Sequence, residues 1–286
     1  MDFSNIVFQK LTFEQLQELI SWAEKEGWNP GKQDAEIFWS TDPDGYYGIF
    51  LNNEMIGGGA LVSYDGKFGS MGLFIVKPEH RGGGYGNHLW YKRRDTLLAR
   101  LDPGAAIGMD GVVPMQPFYA KGGFSIAFKD MRYEKTGSSF ETDARITELE
   151  DKDVENIKEY DFVCMGYHRN KFLEPWIKQA VGKTFVFKED GELKGYAVIR
   201  EAVSGLRIGP LFADHVEAAE SLYKACLNFA ENKQVFIDIP YSQPQVVTLL
   251  EKYDAHPIFE CARMYYGKHP ILAIDKIYGL TSLELG

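Results

Sequence analysis

Residues 73–90 read Leu73-Phe74-Ile75-Val76-Lys77-Pro78-Glu79-His80-Arg81-Gly82-Gly83-Gly84-Tyr85-Gly86-Asn87-His88-Leu89-Trp90. The apolar run Leu73–Val76 predicts a strand, Lys77-Pro78-Glu79-His80 ends it, and a helix to about Leu101 follows. Gly82, Gly83, Gly84 and Gly86 crowd the junction, between Arg81 and Asn87 and around Tyr85. Glycine lacks a Cβ, so backbone amides can converge on a ligand, and the helix that follows adds its positive end. The element is suited to hold phosphate. The dinucleotide pattern Gly-x-Gly-x-x-Gly fails, because Gly82 and Gly84 are followed by Asn87. The nucleotide-triphosphate loop fails too, since no Gly-Lys-Ser/Thr follows.

Around this core the chain bounds its own class. Its 286 residues suit two domains of roughly 140 better than one. A hydrophobic content of 45% supports a real core. No window approaches the roughly 20 apolar residues of a membrane span. Met1-Asp2-Phe3-Ser4-Asn5 has neither a basic region nor an apolar run, so a cytoplasmic protein is expected. Cys164, Cys226 and Cys261 form no Cys-x-x-Cys pair and read as reduced core thiols. The histidines show no metal-ligand spacing, and no metal is expected.

The net charge is −10. Residues 1–135 hold 14 basic and 17 acidic side chains, residues 136–286 hold 17 and 24, so the balance is −3 and −7. Nucleic acid rewards clustered Lys and Arg and is not an expected partner. A cationic small molecule or a lysine-bearing peptide suits an acidic surface, as does solubility alone.

Thr136-Gly137-Ser138-Ser139-Phe140-Glu141-Thr142-Asp143 is small and polar and separates two halves of similar rhythm. The first half, 1–135, predicts strand Ile6–Lys10, helices Thr12–Lys25 and Ala35–Ser40, and strands Tyr46–Asn52, Met55–Tyr64 and Phe68–Val76. The second, 144–286, repeats the order with a strand, two helices, three strands, then helix, strand, helix, strand. Residues 136–143 are the expected linker. At the position of the glycine loop the second half has Ile208-Gly209-Pro210-Leu211-Phe212-Ala213-Asp214. Pro210 removes an amide donor and Asp214 sets an anion where a phosphate would sit, so this half is expected not to bind one.

Arg-x-x-Gly-x-Gly, at Arg81, Gly84 and Gly86 directly after a strand, resembles the coenzyme A pyrophosphate loop of the GCN5-related N-acetyltransferases. The resemblance extends to Met109-Asp110-Gly111-Val112 and to Tyr119-x-x-x-Gly123-Phe124, whose tyrosine is the family's usual general acid. It also takes in Glu26-Gly27-Trp28-Asn29-Pro30-Gly31 with Asp34, and the ending Gly279–Gly286. The implied fold class is α/β (α+β): tandem acyl-coenzyme A N-acyltransferase folds, each a mixed, mostly antiparallel sheet flanked by helices. The first domain would be intact and the second degenerate. Two departures stand out. Many members carry an Asn seven residues before the tyrosine, where Val112 stands here. Some carry a glutamate base eleven residues before Arg81, where Ser70 stands.

The resemblance implies acetyl-coenzyme A as co-substrate and a small-molecule amine or peptide as acceptor, in a monomer or homodimer. Phe74, Ile75 and Val76 would offer backbone groups to the pantetheine arm, and an amide near Leu73–Phe74 would polarise the thioester carbonyl. Tyr119 would protonate the departing sulfur. A lysine-type amine, with a pKa near 10.4, must lose its proton at a cost of about 4 kcal/mol at pH 7. Asp110, at the end of the strand beside the donor strand, is the leading candidate for amine binding or as base. Trp28, Asn29 and Asp34 lie on the loop that lines the acceptor site in this fold. In the tail, Thr281 and Glu284 are placed either to contact a polar acceptor or to belong to an added edge strand. The alternative to an enzyme is a non-catalytic acyl-coenzyme A-binding regulatory module, since one half has already lost its loop.

Overall fold

A computed structural model describes residues 5–286. Met1, Asp2, Phe3 and Ser4, which the reading of the N-terminus includes, lie outside the described residues. The first half runs β1 (Ile6–Lys10), α1 (Phe13–Lys25), α2 (Asp34–Thr41), β2 (Tyr46–Leu51), β3 (Glu54–Ala60), β4 (Val62–Tyr64), β5 (Phe68–Ser70), β6 (Ile75–Val76), α3 (Tyr85–Leu98), β7 (Ala106–Val112), α4 (Gln116–Lys121) and β8 (Phe124–Thr136). The second runs β9 (Ile146–Glu148), α5 (Val154–Met165), α6 (Asn170–Ile177), β10 (Gly182–Glu189), β11 (Glu192–Glu201), β12 (Leu206–Ala213), α7 (Val216–Phe229), β13 (Gln234–Pro240), α8 (Pro244–Lys252), β14 (His256–Tyr266) and β15 (Ile277–Gly279). The duplicated order is present.

Local sequence explains the ends of these elements. Thr12 caps α1 in a capping box with Gln15, and Leu16, Leu19, Trp22 and Ala23 form its buried face. Two expected strands break. The run expected as 55–64 divides at Leu61 into β3 and β4, and the run expected as 68–76 divides into β5 and β6. Leu73, between β5 and β6, has φ 50°, a left-handed conformation that an apolar residue rarely adopts. After these breaks β6 pairs with β3, while β5 pairs in parallel with β7. The two strand groups diverge, and the space between them is the cleft described below.

The strands form a four-stranded sheet, β1-β2-β3-β6, and an 11-stranded sheet, β4-β5-β7-β14-β8-β13-β12-β11-β10-β9 with β15 on β12. Most pairings are antiparallel; β5–β7 and β12–β13 are parallel. The halves therefore exchange their last long strands. β14 stands between β7 and β8, and β8 stands between β14 and β13. Two separate sheets were expected; the larger sheet is instead shared. One core also spans both halves, with Phe38 stacked on Trp176 at 6.4 Å. Cys164, Cys226 and Cys261 are buried free thiols.

Candidate active site

The glycine loop has the conformation its composition requires. Gly82 has φ 79°, and Gly84, the residue that opens α3, has φ 75°. A helix leaves its opening amides without intrahelical acceptors, and here those amides belong to the loop. Nothing lies within 4 Å of where a Cβ on Gly82 would project, so the cradle is open to a pyrophosphate. The side chain of Arg81 folds back: its Nε donates to the Val76 carbonyl at 2.9 Å, and its guanidinium pairs with Glu26.

The loop opens into a cleft of about 660 Å³ between the diverging strands. Arg81, Gly82, Gly86 and Asn87 line one end, followed by Phe74, Ile75 and Val76. Asp110, Val112 and Tyr119 also line the cleft, and so does Trp28 from the loop after α1. Gly83, Gly84 and Tyr85 belong to the same loop but are not among the residues that line the cleft. The second half contributes Ile258, Phe259 and Cys261 from β14 and Leu283 and Glu284 from the tail. A shallower depression along the outer face of α3, beside Tyr91, Lys92 and Thr96, holds neither Tyr119 nor a loop glycine.

Tyr119 is 5% exposed and packs against Trp90, centroids 4.7 Å apart, and edge-on to Phe74 at 6.4 Å. Burial pushes its phenol up to about 12, against the opposing charge of Arg93. Arg93, one turn past Trp90 on α3, is fully buried and donates through Nη2 to the carbonyls of Ala60 and Gly72. Its Nε and Nη1 have no partner among the described residues, and burial lowers it to about 9. Arg93 was not foreseen; a cation in the midst of the apolar positions Leu89, Trp90 and Leu97 was the available signal.

These features decide the family when set beside known proteins. Residues 13–124 match the acetyltransferase (GNAT) family, and residues 157–279 match an acetyltransferase (GNAT) domain. The chain is a tandem GNAT acyltransferase. It is 28% identical over 278 residues to holothin acyltransferase of Pseudoalteromonas sp. (strain SANK 73390), covering 96% of this chain and 92% of that one. A Pyrococcus horikoshii protein assigned as an acetyltransferase superposes with TM-score 0.85 at 20% identity, covering 100% of this chain and 98% of that one. A tandem GNAT protein from the clavulanic acid biosynthesis pathway superposes with TM-score 0.64 at 11% identity, over 93% and 99%. Both show the shared fold. GNAT enzymes use acyl-coenzyme A, and the open glycine cradle fits that group. Among the described residues no helix is long and apolar enough to cross a membrane.

In this GNAT chain the remaining polar residues fall into two groups. Asp110 lines the cleft, but both its oxygens accept from Arg263, at 2.7 and 2.9 Å, and its side chain is 2% exposed. Asp130 lies beside it, buried, and burial together with the charge of Asp110 raises Asp130 well above the usual carboxylate range. Glu284 accepts from Ser282 at 2.7 Å and stands 3.7 Å from Arg207. A Cβ on Gly72 would lie 1.9 Å from the Glu284 carbonyl oxygen, so the tail is seated directly on the break between β5 and β6. In the tail, β15 pairs with β12, and Glu284 lines the cleft. Thr281 instead accepts from buried Arg169 at 2.7 Å.

Asn29 and Asp34 do not line the cleft. Asn29 exchanges hydrogen bonds with the backbone of Ser204, at 2.9 and 2.8 Å. Asp34 is fully buried, accepts from the Gly31 amide at 2.7 Å and faces Arg200 at 3.4 Å. Both residues tie the loop after α1 to the β11–β12 hairpin of the second half, and this holds Trp28 in place. In the second half, the start of α7 is closed by its own side chains. His215 caps the Ala218 amide, and Asp214 accepts from Tyr160 and Lys276 at 2.7 and 2.8 Å.

Proposed function

We propose that this protein transfers an acetyl group from acetyl-coenzyme A to an amine of a small molecule or peptide by direct transfer in the cytoplasm. Residues 1–135 supply the catalytic half and residues 144–286 the far wall of the acceptor site. One observation carries this reading: the glycine loop, Tyr119, Asp110 and Glu284 all line one cleft. The relative named holothin acyltransferase supports a small-molecule acceptor. Bound acetyl-coenzyme A supplies the activated acyl group and a thiol leaving group.

The amides of Gly82–Asn87 hold the pyrophosphate, with Arg81 braced by Glu26 beneath them. Backbone groups of Phe74–Val76 align the arm as an added strand would, and the amide near Leu73–Phe74 polarises the carbonyl. Tyr119, protonated at neutral pH, gives its proton to the leaving sulfur. Two hydrogen bonds leave Asp110 lone pairs for an amine N–H. With Pro210 on β12 and the start of α7 closed, one coenzyme site per chain is expected. Thiol release with an amine panel, with mass spectrometry of the product, tests the activity. Gly84→Glu, which puts a charged side chain at a positive-φ position of the cradle, should abolish both release and binding. Two equivalent sites by calorimetry, or full activity in Gly84→Glu, would sink the assignment.

A further inference from the structure

We propose that the acceptor is a neutral, weakly basic amine whose nitrogen is conjugated to an aromatic or heteroaromatic ring, not an alkylammonium; this rests on the function proposed above. The charge around the cleft carries it. Each carboxylate that lines the cleft already faces an arginine: Glu26 faces Arg81, Asp110 faces Arg263, and Glu284 faces Arg207. Arg132, also lining, is held by Asp238 at 2.7 and 3.0 Å, and the same carboxylate takes Arg207 at 2.7 Å. Arg93 lines the cleft with no carboxylate partner among the described residues. Five arginines thus stand against the carboxylates of Glu26, Asp110, Asp130, Asp238 and Glu284. The charged residues that line the cleft balance, Glu26, Asp110 and Glu284 against Arg81, Arg93 and Arg132, although the chain carries −10 overall.

An ammonium entering this space would lose its hydration, at several kcal/mol, and would find no uncompensated carboxylate to replace it. A neutral arylamine keeps what the walls offer. Its ring meets Trp28, Met115, Phe118, Phe259 and Leu283, and its N–H groups meet the unused lone pairs of Asp110 and Glu284. The same choice accounts for Ser70, 3% exposed, at the position where some family members carry a glutamate base. An amine that enters neutral has no ammonium proton to lose first. The reaction balances: the nitrogen forms the C–N bond, the C–S bond breaks, and the sulfur takes the Tyr119 proton. One nitrogen proton passes to Glu284, and proton exchange with solvent restores both groups.

The test uses the full chain with saturating acetyl-coenzyme A and pairs of amines of matched shape, aniline against benzylamine, with spermidine and lysine added. At pH 7 an alkylamine of pKa near 10.4 is neutral in only about one molecule in 2,500. Aniline should show kcat/KM at least tenfold above benzylamine at pH 7, and nearly constant from pH 6.5 to 9. Benzylamine should climb by almost tenfold per pH unit until it nears its own pKa. If benzylamine, spermidine or lysine is preferred at pH 7, the substrate class is wrong while the acyltransfer reading stands. No thiol release from any amine removes both.

Discussion

In the proposed reaction Tyr119 would act through its surroundings rather than through any intrinsic acidity. A phenol held near 12 keeps its proton across the physiological range, so the acid form is fully present. No fall in kcat from ionisation of Tyr119 is expected below about pH 10. Tyr119→Phe preserves the packing against Trp90 and Phe74 and removes the proton. Its kcat should fall about 10²-fold with acetyl-coenzyme A affinity nearly unchanged, provided chemistry limits the rate. An unaltered kcat would leave Tyr119 as a core aromatic. That the loop, Tyr119 and Trp28 line one cleft was legible because each sits in a local sequence pattern. The settings of Asp110, Asn29 and Asp34 were not. Their partners, Arg263, Ser204 and Arg200, lie more than 150 positions away, and nothing local marks the pairing.

Among the elements, the breaks in the donor strand and its neighbour make the cleft. The apolar run through Leu73–Val76 reads as unbroken strand because residue type does not reveal a single left-handed leucine. The tail seated on Gly72 and Arg93 bound to the Gly72 carbonyl stabilise that conformation from outside the run. A second arrangement joins β8, β12 and β13. Asp238 on β13 accepts from Arg132 on β8 and from Arg207 on β12, so one carboxylate links three strands and both halves. Burial alone would raise the pKa of Asp238, yet the two arginines outweigh it and hold the carboxyl at about 2. The folded value lies below the unfolded one near 3.9, so the stabilisation is present above pH 4 and lost as pH falls towards 2. Asp238→Asn leaves buried Arg132 without its carboxylate and Arg207 with Glu284 alone, at 3.7 Å, and should cost about 3–5 kcal/mol. That corresponds to roughly 10 °C in Tm by calorimetry. A shift below about 2 °C would mean that other groups neutralise Arg132 and Arg207.

For the whole molecule, the sequence makes the duplication plain through its repeated order of elements, but not the exchange of final strands. β8 and β14 carry the same kind of strand pattern, and either could satisfy either neighbour, so composition is silent about which pairing occurs. The exchange determines how the halves depend on each other. β7 has β14 as its partner over residues 107–112, and β8 has β13 over residues 130–136. Separating the halves would leave β7 and β13 with unpaired edges and would uncover the core around Phe38 and Trp176. The cleft would also lose Phe259, Leu283 and Glu284. The tail strengthens the dependence, since the Leu285 carbonyl accepts from Tyr64 at 2.8 Å. Thermal unfolding of the full chain should therefore be a single transition, with calorimetric and van't Hoff enthalpies in agreement. Acetyl-coenzyme A should raise that one Tm as a unit, even though its proposed cradle lies wholly in the first half. Two resolved transitions, only one of them moved by the coenzyme, would show that the shared sheet does not couple the halves and that the second is a detachable wall.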